Sequence, residues 1–234
     1  AWRVNHGPEQ EVMFQQNHEP GKVAQSDFTV MNALEITIAG QPFPHLVYHM
    51  VLTYSNVEAV RVCFSESFEA LAEGLENCIW QLGGVPIFHR TDNLSAAVRD
   101  LDRNGLHEFT DNYLAVLNHY GMKPTANTAG CANQNGDVEQ SHFRFKTAVD
   151  QALRVRGSRD FPDRCSYEGF LSELVRMRNQ TRSVGFEQER TALKPLPDKP
   201  LDFTREITVR VSRFSLIRVL NNTYSVPSRL IGAT

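Results

Sequence analysis

Between Val23 and Phe64 the chain passes through four strand-like segments joined by turns too short to hold a helix, and at Ser67 the spacing of its apolar residues changes. Val23–Val30, Leu34–Ile38, Leu46–Thr53 and Val57–Phe64 are rich in β-branched residues, with polar and apolar positions interleaved, and predict strands. Strands that follow one another this closely pair antiparallel. From Ser67 to Leu82, Phe68, Leu71, Leu75, Cys78, Ile79 and Leu82 recur three and four apart, which predicts an amphipathic helix closed by Gly83-Gly84. Short strands then alternate with helices. Val85–His89 reads as a strand, about His107–His119 as a helix ended by Gly121, and Met122–Thr125 as a strand. A loop from Ala126 to Gly136 leads into a long helix from Asp137 to about Arg154, followed by another over Tyr167–Arg182. An antiparallel run followed by alternating strands and helices predicts an α/β domain with a mixed five-stranded sheet flanked by helices.

Segments outside this pattern set the expected domain limits. Residues 1–21 are polar, hold Pro8 and Pro20, and read as an extended lead-in to a core over 22–184. Pro195, Pro197 and Pro200 mark 185–204 as a linker. Within 205–234 three short strand-like runs between Ile207 and Val226 predict part of a small β-barrel, with Asn221-Asn222 at a hairpin turn. The chain begins at Ala1 rather than Met and stops just after a strand-like run, as a piece of a longer protein would.

Composition narrows the function classes. With 234 residues, 41% hydrophobic and 22% charged, the chain has enough apolar surface for a substantial core, which argues against wholesale disorder. The longest apolar candidate, Phe43–Tyr54, is interrupted by His45 and His49 and falls short of the roughly 20 residues of a membrane span. Ala1–Pro20 lacks the basic and apolar regions of a signal peptide, so a soluble cytoplasmic protein with no membrane partner is expected. Cys63, Cys78, Cys131 and Cys165 are too scattered for a zinc-ligand pair and read as reduced thiols. Charge is divided unevenly. Residues 1–139 carry 7 Lys+Arg against 17 Asp+Glu, net −10, whereas 140–234 carry 17 against 10, net +7. An acidic half able to gather divalent cations thus precedes a basic half able to neutralise phosphates.

Three acids stand where structure alone does not ask for them. Asp27 lies at the centre of the first strand, where a carboxylate is disfavoured and costly if unpaired. Asp92 directly follows the strand at 85–89 region, and Glu139 falls in the first turn of the long helix. Each alone has an ordinary reading: Asp27 at an exposed sheet edge, Asp92 as N-cap of a helix over Asn93–Asp100, Glu139 as a complement to the helix dipole. Together they suit phosphodiester chemistry, in which two Mg²⁺ ions about 4 Å apart activate the attacking oxygen and stabilise the leaving one.

Gln25-Ser26-Asp27-Phe28-Thr29, Arg90-Thr91-Asp92-Asn93-Leu94 and Asn135-Gly136-Asp137-Val138-Glu139 resemble the DDE triad of bacterial insertion-sequence transposases. The likeness is greatest to the IstA family, relatives of phage Mu transposase and retroviral integrases. It extends over His6-Gly7-Pro8-Glu9-Gln10-Glu11-Val12, His18-Glu19-Pro20-Gly21, Gly83-Gly84-Val85-Pro86 and His119-Tyr120-Gly121. The family pattern, with Val before the acid, selects Glu139 over Asp137. The 47 residues between Asp92 and Glu139 exceed the gap typical of integrases, which places an enlarged loop before Glu139.

The resemblance implies an RNase H-like fold. It also implies catalysis by Asp27, Asp92 and Glu139 holding Mg²⁺, or Mn²⁺ in its place, as two ions. The reaction it implies is cleavage at transposon ends followed by attack of the freed 3′-hydroxyl on target DNA. The implied setting is a bacterial cytoplasm near the nucleoid, in a homo-oligomer working with a separate helper ATPase. This chain has no Gly-x-x-x-x-Gly-Lys-Ser/Thr motif of its own. The C-terminal run Asn221-Asn222-Thr223-Tyr224-Ser225-Val226-Pro227 resembles the small barrel that follows the core in Mu-like transposases. On the long helix, Glu139, His142, Phe143 and Lys146 share a face by their spacing, so Lys146 can meet a phosphate held at Glu139, with Arg144 to one side. Asn93 can hold Asp92 or a phosphate, or serve as a plain turn residue. Two other readings fit the same acids: a noncatalytic DNA-binding or assembly module, and a nuclease of the same fold that cuts without joining.

Overall fold

The computed structural model describes residues 17–91, 97–101, 107–126, 136–201, 207–219 and 221–233; the side chains of 98–101, 107–108, 126 and 136–140 are outside that description. The first strand, β1 (Val23–Val30), is buried on both faces and takes the middle of the main sheet. It is followed by β2 (Thr37–Ile38), β3 (Gln41–Pro42), β4 (Leu46–Leu52) and β5 (Glu58–Cys63). Helix α1 (Phe68–Leu82) leads to β6 (Phe88–Thr91), the hairpin β7 (Val98–Leu101) and β8 (His107–Phe109), helix α2 (Asp111–His119) and β9 (Lys123–Ala126). Helix α3 (Gly136–Arg156), β10 (Asp160–Phe161), α4 (Arg164–Gln180) and α5 (Ser183–Ala192) complete this unit. The sheet order is β5-β4-β1-β6-β9, with β1–β4 and β4–β5 antiparallel and β1–β6 and β6–β9 parallel. This is the mixed five-stranded α/β sheet that the sequence predicts.

Alternation along the strands sends two sets of side chains to opposite faces. On one face Ala24, Phe28, Tyr48, Met50 and Leu52 join the apolar sides of α1 and α2. On the other, Val47, Val60 and Val62 meet Phe145, Val149 and Leu153 of α3 and Leu171, Leu174 and Val175 of α4. On the α1 side a buried hydrogen-bonded cluster locks three strands to a helix. Tyr48 Oη donates to Ser26 Oγ (2.7 Å), His89 Nε2 lies 2.8 Å from the same oxygen, and His89 Nδ1 lies 2.6 Å from Tyr113 Oη. Helix α1 reaches this cluster through Gly74, where a Cβ would stand 2.5 Å from Tyr48 Cγ.

Several elements depart from the sequence reading. Leu34–Ile38 is not a strand of the main sheet: a 3₁₀ turn at Asn32–Leu34 precedes β2, which pairs with β3 and β10 in a small separate sheet. Positive φ at Glu35 and Ala39 turns the chain out of the main sheet. The strand expected at Val85–His89 lies further on, at β6; Val85 instead exchanges two backbone hydrogen bonds of 2.9 Å with Lys194, and Pro86 has no N–H to give a ladder. The helix expected from His107 starts at Asp111, because Thr110 caps it by accepting from Tyr113 N, while His107–Phe109 is strand. Val98–Leu101 is strand too, which rules out a helix continuing over Asn93–Asp100. The β7–β8 hairpin therefore occupies part of the long interval between Asp92 and Glu139, upstream of the loop expected to be enlarged.

Helix α5 lies largely inside the segment read as a linker. Its Glu189 is fully buried and accepts from Ser55 N (2.9 Å) and Gly21 N (3.2 Å). The chain divides into two compact units at Leu201/Asp202. In the second, β11 (Leu216–Val219) and β12 (Asn222–Ser225) form an antiparallel hairpin, and Val211 exchanges backbone hydrogen bonds with Gly232 and Ala233. Among the described residues this is a two-stranded sheet, not a closed barrel. No helix among the described residues is long and apolar enough to cross a membrane.

The close approach at Gly74 yields a stability prediction. Alanine there raises helix propensity by roughly 1 kcal/mol but drives its methyl into Tyr48. Gly74→Ala should lower the unfolding free energy by about 1–3 kcal/mol in urea titration, and an unchanged or higher midpoint would contradict this packing.

Candidate active site

The central position of β1 decides what surrounds Asp27. In the antiparallel register Asp27 lies opposite His49 of β4, and on its other side Ser26 pairs with Thr91, the last residue of β6. The side chain of Asp27 is 28% exposed, and Oδ1 accepts from the N–H of Phe28 at 2.7 Å. Helix α3 packs over β1 and brings His142 Nδ1 to 3.9 Å from Asp27 Oδ2. Glu139 stands three residues before His142 on the same helix. Its side chain lies outside the described residues, as do Asp92 and Asn93. Strand β6, the parallel neighbour of β1, ends at Thr91, directly before Asp92 in sequence. The elements thus bring α3 and the end of β6 to the strand that holds Asp27.

Beneath Asp27 lies a column of buried polar groups. His49 has no exposed surface, and its Nε2 is 3.0 Å from Glu58 Oε2. Glu58 is held in turn by Arg178, which also reaches Oε2 at 3.3 Å, and by Arg182 at 3.3 Å. Asn179 fixes its backbone by accepting from Glu58 N and donating to Glu58 O. Burial acts to raise the Glu58 carboxyl, but hydrogen bonds from His49 and Arg178 outweigh it and hold the pKa at about 2. The His49 ring stacks on those of His142 and Phe145 at centroid separations of 5.0 and 4.9 Å. Burial, with His49 and Lys146 nearby, pushes the His142 imidazole down to about 3, so it is neutral near pH 7.

The spacing argument for α3 holds only in part. Its buried stripe is His142, Phe145, Val149 and Leu153, whereas Phe143 is 71% exposed. Phe143 instead borders a groove of about 320 Å³ with Arg144, Thr147, Gln151, Arg178 and Arg182. Lys146 is half-buried and close enough to His142 to influence it. The sequence pointed to Asp27 but gave no role to His49, Glu58 or His142. The available signal was His49 inside the apolar run of β4; Glu58 opens β5 and His142 stands among many polar residues of α3, so only the tertiary arrangement aligns them. Among the described residues, no three His, Cys, Asp or Glu side chains converge on a metal position.

Comparison with known proteins agrees with this geometry. Residues 196–234 match the family model for the Mu transposase, C-terminal domain. The chain is 47% identical to the uncharacterized protein y4jA/y4nE/y4sE of Sinorhizobium fredii, across 99% of this chain and 46% of that protein. It is 26% identical to a transposase of Aminobacter aminovorans, across 91% of this chain and 42% of that protein. Against the transposase for insertion sequence element IS21 of Pseudomonas aeruginosa the identity is 27%, over 85% and 52% respectively. The chain therefore spans about half the length of the relatives it matches. A chain of the cryo-EM structure of the simian T-cell lymphotropic virus intasome in complex with PP2A regulatory subunit B56 gamma superposes with a TM-score of 0.57. That match has 16% identity and covers 86% of this chain and 66% of that one. The chain is a relative of insertion-sequence transposases with an integrase-like α/β core.

The buried imidazoles set an acid limit on this architecture. Burial lowers His89 to about 3, as it does His142, from an ordinary value of 6.5. As pH falls through 6.5 the unfolded chain takes up these protons while the folded chain does not, so stability drops until about pH 3. Each imidazole contributes a slope of up to about 1.4 kcal/mol per pH unit. Urea titrations at pH 7, 5.5 and 4.5 should show this decline, and a flat profile would contradict the burial of both rings.

Proposed function

We propose that this chain is the catalytic core of a DNA transposase, a polynucleotidyl transferase that cleaves phosphodiesters and joins 3′-hydroxyl ends to target DNA. Asp27, Asp92 and Glu139 would hold Mg²⁺, or Mn²⁺ as a substitute, as two ions. The observation that carries the proposal is His142 of α3, one turn after Glu139, at 3.9 Å from Asp27 on the strand that neighbours β6. The residues fit the ion. Asp27 offers hard carboxylate oxygen at a partly exposed point of a central strand, and Mg²⁺ prefers such oxygens while keeping several waters. The bound ions supply nucleophile activation and leaving-oxygen stabilisation.

The chain's own groups then orient the reactants. The Phe28 N–H fixes Asp27 Oδ1 and leaves Oδ2 on the α3 side. Lys146, one turn beyond His142, would meet a phosphate near the acids, and Asn93 would hold Asp92 or a phosphate, as the resemblance implies. Arg144, with Arg178, Arg182 and the exposed Phe143 ring, offers a basic groove with an aromatic wall for the DNA backbone. The resemblance extends the proposal to a homo-oligomer engaging transposon ends and target DNA in the bacterial cytoplasm, with a separate helper ATPase.

Strand transfer by the full-length protein on DNA bearing its element's ends tests this. Asp27→Asn, Asp92→Asn and Glu139→Gln should each reduce joined product by at least about a hundredfold while DNA binding persists. Unchanged joining by the Glu139→Gln protein would overturn the assignment, and cutting without joining would replace it with a nuclease. In a salt titration of DNA binding, Arg144→Ala should weaken affinity and reduce the slope of log K against log salt by about 1. An unchanged slope would remove Arg144 from the interface.

A further inference from the structure

We propose that His142 is a nitrogen ligand of the metal held at Asp27, so that the site combines carboxylate oxygen with imidazole. The inference rests on the metal-site reading above and deepens it. His142 Nδ1 and Asp27 Oδ2 are 3.9 Å apart. That is too long for a hydrogen bond, yet it suits two donors of one cation. With ligand bonds of about 2.1 Å, two donors lie between roughly 3.0 Å at right angles and roughly 4.2 Å when opposite.

The imidazole has little else to satisfy it. His142 is 9% exposed, and its Nε2 is buried without a hydrogen-bond partner among the described residues. Buried ring nitrogens ordinarily have partners. A cation at Asp27 would take the lone pair of Nδ1, the nitrogen that faces Asp27, while Nε2 carries the proton and keeps no hydrogen-bond partner among the described residues.

The ring is also held in place. It stacks on His49, which Glu58 anchors at 3.0 Å, and Glu58 is clamped by Arg178 and Arg182 from the end of α4. Helix α3 thus presents the imidazole of His142 to the acid of β1. Glu58, His49 and the two arginines are thus positioning residues for the ligand, not ligands themselves. Imidazole shifts preference from Mg²⁺ toward Mn²⁺ and later ions of the series.

The test is Mn²⁺ binding to the tag-free chain, followed by electron paramagnetic resonance, with pulsed detection of nitrogen coupling. One directly coordinated imidazole nitrogen should be seen. The coupling should disappear in His142→Gln, Mn²⁺ affinity should fall about tenfold or more, and Mg²⁺ affinity should fall less. If the variant does not fold, ¹⁵N-histidine labelling of the unmutated chain keeps the proposal falsifiable, because a coupling that labelling leaves unchanged does not come from a histidine and overturns the assignment. Mn²⁺ that is lost in Asp27→Asn but shows no nitrogen coupling would overturn the His142 assignment and leave the carboxylate site standing. Mn²⁺ binding indifferent to Asp27→Asn would overturn both.

Discussion

A carboxylate in the middle of a sheet covered on both faces survives only where neighbouring elements supply charge and hydrogen bonds. Asp27 meets that condition through the Phe28 N–H on its own strand and through α3, which brings His142 up to it. The condition propagates downward. His142 rests on His49, His49 needs Glu58, and Glu58, fully buried, needs Arg178 and Arg182. Five elements, β1, β4, β5, α3 and α4, are therefore fixed relative to one another by a single column of polar contacts. Removing Glu58 leaves an imidazole and two guanidinium groups without their acceptor, which is why this column matters more than an exposed ion pair.

The two faces of the sheet do different work. On the α1–α2 face, Tyr48, Ser26, His89 and Tyr113 satisfy one another inside an apolar cluster, and Gly74 lets α1 press directly on Tyr48. That face holds β1, β4 and β6 in register through neutral hydrogen bonds among buried side chains. The α3–α4 face carries Asp27, His49, Glu58 and His142, with Arg178 and Arg182. A rigid apolar side thus backs a polar side on which reacting groups can be held without reorganising, the arrangement that phosphoryl chemistry demands of its scaffold. The basic half of the sequence supplies most of α3 and all of α4, and Arg144 and Arg178 line the groove beside Phe143.

Local signals carried much of this fold and little of its wiring. Val23–Val30 and Phe68–Leu82 were legible because alternation and three-four spacing run unbroken to clear ends, Ser67 capping α1 and Gly83 closing it. The small sheet of β2, β3 and β10 was not, because it pairs residues more than a hundred positions apart and hinges on left-handed backbone at Glu35 and Ala39. Helix α5 was hidden because the prolines that follow it, Pro195, Pro197 and Pro200, drew its residues into the segment read as a linker, and its packing rests on the partners of Glu189. At the site, Asp27 stood out because an acid inside a strand needs a reason. His49 and Glu58 became meaningful only once strand register set them in line, and helical spacing could not tell that Phe145, not Phe143, turns inward.

The central claim is that Asp27 and Asp92 form part of one divalent-metal site on this sheet. Titration calorimetry with Mn²⁺ on the chain and on its Asp27→Asn/Asp92→Asn double variant tests it without knowledge of the DNA ends. The account predicts saturable binding to the chain that vanishes in a double variant still folded by circular dichroism. Equal binding by both proteins would contradict it.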